Sequence, residues 1–197
     1  MKLCREFYLR SGVEVARDLI GKVLVCRRPE GVTRGIIVET EAYMGHLDAA
    51  AHSYKAPSTG RTAIQYGPGG YAYVYTIYGL HTCMNVVANR PGCPEAVLIR
   101  ALEPVGGIPL MQQRRKSQSL TALCSGPGKL AQAMGITMAQ YGADLCGEEL
   151  YLEEDDGPAP EILETKRINV DYAGEAADYP WRFLQKGSRF VSVPPRK

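Results

Sequence analysis

Apolar and polar positions alternate along the chain in short stretches of two different periods. Ser11-Gly-Val-Glu14 has the form of a capping box, and Val13, Val15, Ala16, Leu19 and Ile20 follow at helical spacing until Gly21. The spacing predicts a short amphipathic helix. β-rich runs then cover Lys22 to Arg28 and Val32 to Tyr43, and Pro29-Glu30-Gly31 between them reads as a hairpin. From Met44 to Gly70 no period is sustained and Gly, Pro, Ser and Ala dominate, so this segment is expected to be mostly loop. Tyr71 to Tyr78, Thr82 to Ala88 and Ala96 to Leu102 are three further strands, broken at Gly79 and Pro91-Gly92. Helices are expected over Gly106 to Lys116 and over Ser125 to Met134, the second opened by Pro127 and closed by Gly135. Leu150 to Glu153, Ile162 to Val170 and Phe190 to Val193 complete the set as late strands. Strands that follow one another in sequence favour antiparallel pairing. With no internal repeat and no linker, residues 1–197 read as one compact domain of mixed α/β (α+β) class, an antiparallel sheet with short helices.

Composition narrows the class. Hydrophobic residues make up 45% and charged residues 22% of the chain, the balance of a globular protein. No apolar run approaches the roughly 18 residues that a membrane-spanning helix needs, and Met1-Lys2-Leu3-Cys4-Arg5-Glu6 lacks the apolar core of a signal peptide. A cytoplasmic protein away from membranes is expected. The six cysteines, Cys4, Cys26, Cys83, Cys93, Cys124 and Cys146, are scattered, with neither a C-x-x-C pair nor a histidine at ligand spacing. They are expected to be reduced, and neither zinc nor an iron–sulfur cluster is expected. Net charge is only +2, but seven of the 21 acidic residues lie between Glu148 and Glu161, a stretch without Lys or Arg. The remainder carries 23 basic against 14 acidic residues and is basic enough to face phosphates.

Two segments carry candidate chemistry. At the end of Ile36-Ile-Val38, the alternation of a strand puts Glu39, Glu41 and Tyr43 on one face and Thr40 and Ala42 on the other. Such a row is either the solvent face of an edge strand or a general base beside an aromatic shelf. The second segment holds Tyr66, Tyr71, Tyr73, Tyr75 and Tyr78. Tyr71, Tyr73 and Tyr75 share a face, while Tyr78 is displaced by an odd number and leaves it. Such tyrosines either pack across strands or stack on extruded bases, with the ring beside Gly79 as a wedge into DNA. His46, His52 and His81 follow no metal pattern; His52 lies in the long loop directly after the Glu41 strand.

These residues resemble one family, the alkyladenine (3-methyladenine) DNA glycosylases of the vertebrate alkyladenine type and their bacterial relatives. The matching stretches are Val38-Glu-Thr-Glu-Ala-Tyr43, Ala50-Ala-His-Ser53, Tyr73-Val-Tyr-Thr-Ile-Tyr-Gly79, Cys83-Met-Asn85, Leu98-Ile-Arg-Ala-Leu-Glu-Pro104 and Cys124-Ser-Gly-Pro-Gly-Lys-Leu130. Tyr172-Ala-Gly-Glu175 and Arg189-Phe-Val-Ser192 extend the likeness to the end of the chain. The resemblance implies a curved antiparallel sheet similar to the formyltransferase C-terminal domain-like fold. It implies a monomer that acts on double-stranded DNA containing damaged purines, without metal or cofactor. It also implies roles: Glu41 as the base that deprotonates the attacking water, Arg100 as a holder of that water, and Tyr43, His52 and Tyr75 as walls around a flipped base. Tyr78 resembles the intercalating wedge, and Asn85 the group that crowds the amino group of normal guanine. No lysine is among the residues to which the resemblance gives a part in the pocket, so base hydrolysis leaving an abasic site is expected.

The chain departs from the family in two places. Gln65-Tyr66-Gly67-Pro68-Gly69-Gly70 stands where the family commonly has Met-Phe and then a proline directly before glycine. Arg167-Ile-Asn-Val170 has Asn169 where the family has glycine. Two other readings compete. One is a nucleic-acid-binding module of similar fold without catalysis, against which the pairing of Glu41 with Arg100 speaks. The other is a glycosidase acting on sugars through Glu39 and Glu41, whose spacing of about 6.5–7 Å on a strand approaches that of inverting enzymes; it leaves Tyr78 and Asn85 without a part.

Overall fold

The computed structural model describes residues 1–56, 58–77 and 79–195. It is an α+β molecule with an open antiparallel sheet of eight strands and a few short helices. The helices are α1 (Arg5–Tyr8), α2 (Gly12–Asp18), α3 (Ile108–Arg115) and α4 (Pro127–Met134). The strands are β1 (Val23–Arg28), β2 (Gly31–Tyr43), β3 (Ala72–Ile77), β4 (His81–Ala88), β5 (Glu95–Gly106), β6 (Leu150–Glu153), β7 (Ile162–Thr165) and β8 (Arg182–Gln185). Their order is β3-β4-β5-β2-β1-β6, and β7 and β8 branch from β2 through β8.

Local chemistry starts the elements as expected. Ser11 and Glu14 form the reciprocal capping box of α2, and Pro127 opens α4 while Gly135, at φ +78°, closes it. Strand alternation separates two faces of the sheet. Val15 and Ala16 of α2 with Leu19 at its end, Met111 of α3 and Leu130 and Met134 of α4 form the main core with Val74, Met84, Val86, Val97 and Ile99. The opposite face of β3 and β4 carries Tyr71, Tyr73, Tyr75 and Val87. Gly69 lets the chain enter β3 against α1, because a Cβ there would lie 2.2 Å from the Tyr8 carbonyl oxygen.

β2 organises the sheet. One of its edges pairs with β5 from Arg34 to Tyr43, and the other pairs first with β1, over Gly31 to Ile36, and then with β8, over Glu39 to Glu41. Of the two readings of the row Glu39, Glu41 and Tyr43, the solvent face of an edge strand is therefore excluded. β2 has a neighbour on both sides, and both carboxylates are 0% exposed.

Other boundaries differ for physical reasons. The loop from Met44 to Gly70 contains two 3-10 segments, Gly45–Leu47 and Gly60–Tyr66. The expected strand from Ile162 to Val170 ends at Thr165, because the chain turns Arg167 inward and Asn169 takes φ +58°. Phe190 to Val193 forms no strand; Ser192 there spends its backbone N–H on the Glu39 carboxylate instead of on a ladder. α1 and β8, at four residues each, are too short to carry a readable period.

Five of the acidic residues between Glu148 and Glu161 are ion-paired. Their partners are Lys2, Arg28, Arg34, Lys22 and Lys186, all at the β1–β6 side of the sheet or beyond β8. The cysteines among the described residues are all unpaired thiols. Among the described residues no helix is long and apolar enough to cross a membrane.

Candidate active site

Register brings the singled-out residues together. Tyr73 pairs with Asn85, Asn85 with Leu98, and Leu98 with Glu41, so one row runs across β3, β4, β5 and β2. Facing pairs in such rows have Cβ atoms about 5 Å apart. Tyr75 faces Cys83 one step along, and Arg100 follows Leu98 by two residues on the same face. Above this row lies a cavity of about 390 Å³, within the roughly 300–1,000 Å³ of small-molecule sites. Tyr43, His52, Tyr75, Asn85 and Arg100 all line it, so five of the expected site residues share one chamber. Tyr78 lies outside the described residues.

Glu41 is one layer behind the wall. Its Oε2 accepts the Tyr43 hydroxyl at 2.8 Å and Arg100 Nη1 at 3.3 Å, and its Oε1 accepts the Ile168 backbone N–H at 2.7 Å. All three donors belong to residues that line the cavity. Glu39 anchors the arrangement from below. It accepts Arg100 Nε at 2.8 Å, Arg182 Nε at 2.9 Å, and the Ser192 N–H and hydroxyl at 2.5 and 2.8 Å. Three of these four bonds converge on Oε1, so Glu39 serves to hold Arg100, Arg182 and Ser192 in place. Burial pulls the Arg100 guanidinium down, but the charges of Glu41 and Glu39 outweigh it, and the net direction is upward.

The aromatic wall is built from β3 and the loop after β2. His52 Nδ1 lies 2.9 Å from the Tyr73 hydroxyl, and its ring meets Tyr75 edge to face at 4.7 Å. Burial, followed by the nearby Arg61 charge, lowers His52 to about 4, so it is a neutral imidazole at pH 7. Burial pushes Tyr73 up to about 12, and burial with the Glu41 charge pushes Tyr43 well above the phenol range. The wall is thus neutral. The Asn85 amide is held by a bond of 3.1 Å from Nδ2 to the Tyr73 carbonyl.

Sequence reasoning missed several contributors. Asp48 and Arg167 form a buried ion pair behind Tyr43, and Arg182 and Ser192 hold Glu39. Arg182 and Asp48 carry no motif. Arg167 sits in a stretch already marked by Asn169, and asparagine tolerates the left-handed backbone that glycine otherwise supplies. Cations also gather near the cavity. Arg61 lies 6.0 Å from the Tyr75 ring, and Lys129 lies in the first turn of α4, opened by the cavity-lining Pro127; Lys55 is three residues beyond His52 in sequence. No acidic partner holds them among the described residues.

The sequence profile described as Methylpurine-DNA glycosylase (MPG) matches residues 6–189. Proteins named "Putative 3-methyladenine DNA glycosylase" from Alkaliphilus oremlandii and Clostridium acetobutylicum are 51% and 52% identical, covering 98% of this chain and 99% and 98% of their own length. One of the same name from Methanocella arvoryzae is 51% identical over 96% of this chain and 95% of its own. With the match running through nearly every element that shapes the cavity, the chain belongs to the methylpurine-DNA glycosylase family, hydrolases of DNA repair that cleave the N-glycosidic bond.

Proposed function

We propose that this protein is a monofunctional glycosylase that flips alkylated or deaminated purines out of duplex DNA and hydrolyses their glycosidic bond with water activated by Glu41. The observation that carries the reading is a buried carboxylate held by three groups that all line one aromatic chamber. Candidate substrates are 3-methyladenine, 7-methylguanine, hypoxanthine and ethenoadenine.

The chemistry needs little more. An alkylated, cationic purine leaves with the C1′–N9 electron pair and becomes neutral; hypoxanthine and ethenoadenine, neutral in the duplex, leave with the same pair as anions and take up a proton from solvent. The water oxygen bonds C1′, and Glu41 takes the proton that the water loses. Before that transfer, the same carboxylate stabilises positive charge growing on the sugar. General-base catalysis of this kind contributes about 10²–10⁴-fold. Tyr43, His52 and Tyr75 would hold the extruded ring by stacking, worth about 1–3 kcal/mol per base. Flipping costs a few kcal/mol and least for a damaged base, so selection begins before chemistry. Asn85, fixed by its bond to Tyr73, would oppose the amino group of normal guanine. Tyr78, by its sequence position, would fill the space left in the duplex. Lys55, Arg61 and Lys129 would meet phosphates, and a monomer suffices because every group named comes from one chain. The reaction as drawn calls for no metal or cofactor.

The test is incubation with duplexes that each carry one of the four lesions, scoring free base and alkali-labile sites. Release of base with matching alkali-labile sites supports the reading. Strand cleavage without alkali would make the enzyme a lyase, and no release from any of the four would remove purine excision.

A further inference from the structure

Arg167 is buried, 5% exposed, and does not line the cavity. All four of its terminal N–H groups are used. Nη1 donates to the Ala42 carbonyl at 2.9 Å and to Asp48 Oδ2 at 2.5 Å; Nη2 donates to Asp48 Oδ1 and to the Ala176 carbonyl, both at 2.9 Å. Its guanidinium carbon lies 4.9 Å from the Tyr43 ring centre and 5.1 Å from that of Trp181. Asp48 in turn accepts the backbone N–H groups of Met44 and Ala50, both at 3.0 Å. One guanidinium therefore joins the end of β2, the loop that leads to His52, and the segment 171–178 that follows β7.

The neighbours of these contacts matter most. Ala42 lies between Glu41 and Tyr43, and Ile168, the residue after Arg167, supplies the N–H that holds Glu41 Oε1. Residues 41–42 and 167–168 are thus clasped twice, once by the guanidinium and once by the backbone. The fork is what permits this, since four bonds in four directions need a planar, rigid donor set that an ammonium lacks.

We propose that Arg167, clamped by Asp48, is a positioning residue for base excision: it sets the Tyr43 wall and the Glu41 carboxylate in register with each other. The proposal rests on Glu41 being the base. Arg167 touches no reacting atom, so its removal should disturb placement of the reacting groups rather than affinity for DNA. Misplacement of about 1 Å at a reacting centre can cost 10²-fold.

The experiment compares Arg167→Lys and Asp48→Asn with the parent in two measurements. One is the single-turnover rate constant and amplitude on a hypoxanthine duplex with enzyme in excess. The other is Kd for a duplex carrying a tetrahydrofuran abasic analogue, which has no base to stack. The expected result is a rate constant lower by about a hundredfold for Arg167→Lys and less for Asp48→Asn. Amplitude should be preserved and Kd held within about threefold of the parent. If only the amplitude or the melting temperature falls, while the rate constant of the active fraction holds, Arg167 is ordinary packing and the proposal is overturned. Loss of rate and of Kd in parallel overturns it equally. Asp48→Asn, nearly isosteric, decides the matter should the lysine variant fail to fold. Glu41→Gln, run alongside, separates the two claims: full turnover there removes the base, whereas an inactive Glu41→Gln beside an unimpaired Arg167→Lys removes only the clamp.

Discussion

The hydroxyl of Tyr43 donates to Oε2 of Glu41 across 2.8 Å, so a wall of the cavity and the acid behind it are directly bonded. The two residues lie on the same face of β2, two positions apart, and both are held in place by Arg167 and the residue that follows it. In the proposed function, a ring that would stack on the extruded base is thereby tied to the carboxylate that would activate water beside its sugar, both at the end of one strand.

Glu41→Gln keeps the shape and the acceptor oxygen but removes the base. Excision should fall by about 10³-fold or more, while affinity for lesion-bearing duplex changes little. Single-turnover release of hypoxanthine checks the first half and a binding titration the second. Near-parental turnover would take Glu41 out of the reaction.

Glu39→Gln weakens the anion that two buried guanidinium groups share. Breaking a buried pair from one side costs about 3–5 kcal/mol. With Arg182 still near the amide oxygen, a loss of about 3 kcal/mol is expected in urea denaturation. An unchanged midpoint would show that Glu39 is not the anchor its contacts suggest.

His52 is depressed to about 4 by burial and Arg61, so between pH 6.5 and 4 the unfolded chain binds the proton that the folded one refuses. Its contribution to stability is therefore present above pH 6.5 and lost as pH falls toward 4. His52→Gln should lose less stability than the parent between pH 7 and 4.5. Equal losses, or an imidazole titration near 6.5 by NMR, would contradict the neutral ring.

Asn85→Ser shortens a side chain whose amide is pinned to the Tyr73 carbonyl. If Asn85 excludes guanine by crowding, its release from unmodified duplex should rise by roughly tenfold or more, the scale of one steric contact. The check is long incubation of undamaged DNA followed by assay of free guanine.

Tyr78→Ser removes the ring assigned to the wedge by sequence position. Affinity for a lesion duplex should drop by about tenfold, in line with about 1–3 kcal/mol per stacked ring. Equal affinity of variant and parent would leave Tyr78 without that part.

Much of this arrangement was legible in the sequence because strand periodicity carries it. Parity placed Glu39, Glu41 and Tyr43 on one face, and Tyr71, Tyr73 and Tyr75 on one face, and the register then set the two groups over one row. What parity does not contain is whether a strand has neighbours on both edges. β8, four residues long and more than 130 residues downstream, turns β2 into an interior strand and Glu39 from a surface acid into a buried one. The same limit hid Asp48 and Arg167, a pair 119 residues apart whose meeting depends on two loops. Asn169 was visible as an exception, and its φ of +58° supplies the reason.

The pairing of the Glu148–Glu161 acids with Lys2, Lys22, Arg28, Arg34 and Lys186 leaves the molecule electrically lopsided. On one flank most acids are paired, while Arg61 and Lys129, near the chamber, have no acidic partner among the described residues. In the field of a polyanion such a charge distribution would feel a torque as well as an attraction, turning the chamber toward it during approach. Screening confines the effect to about 8 Å at 0.15 M salt, so the alignment is completed within the last few water layers before contact.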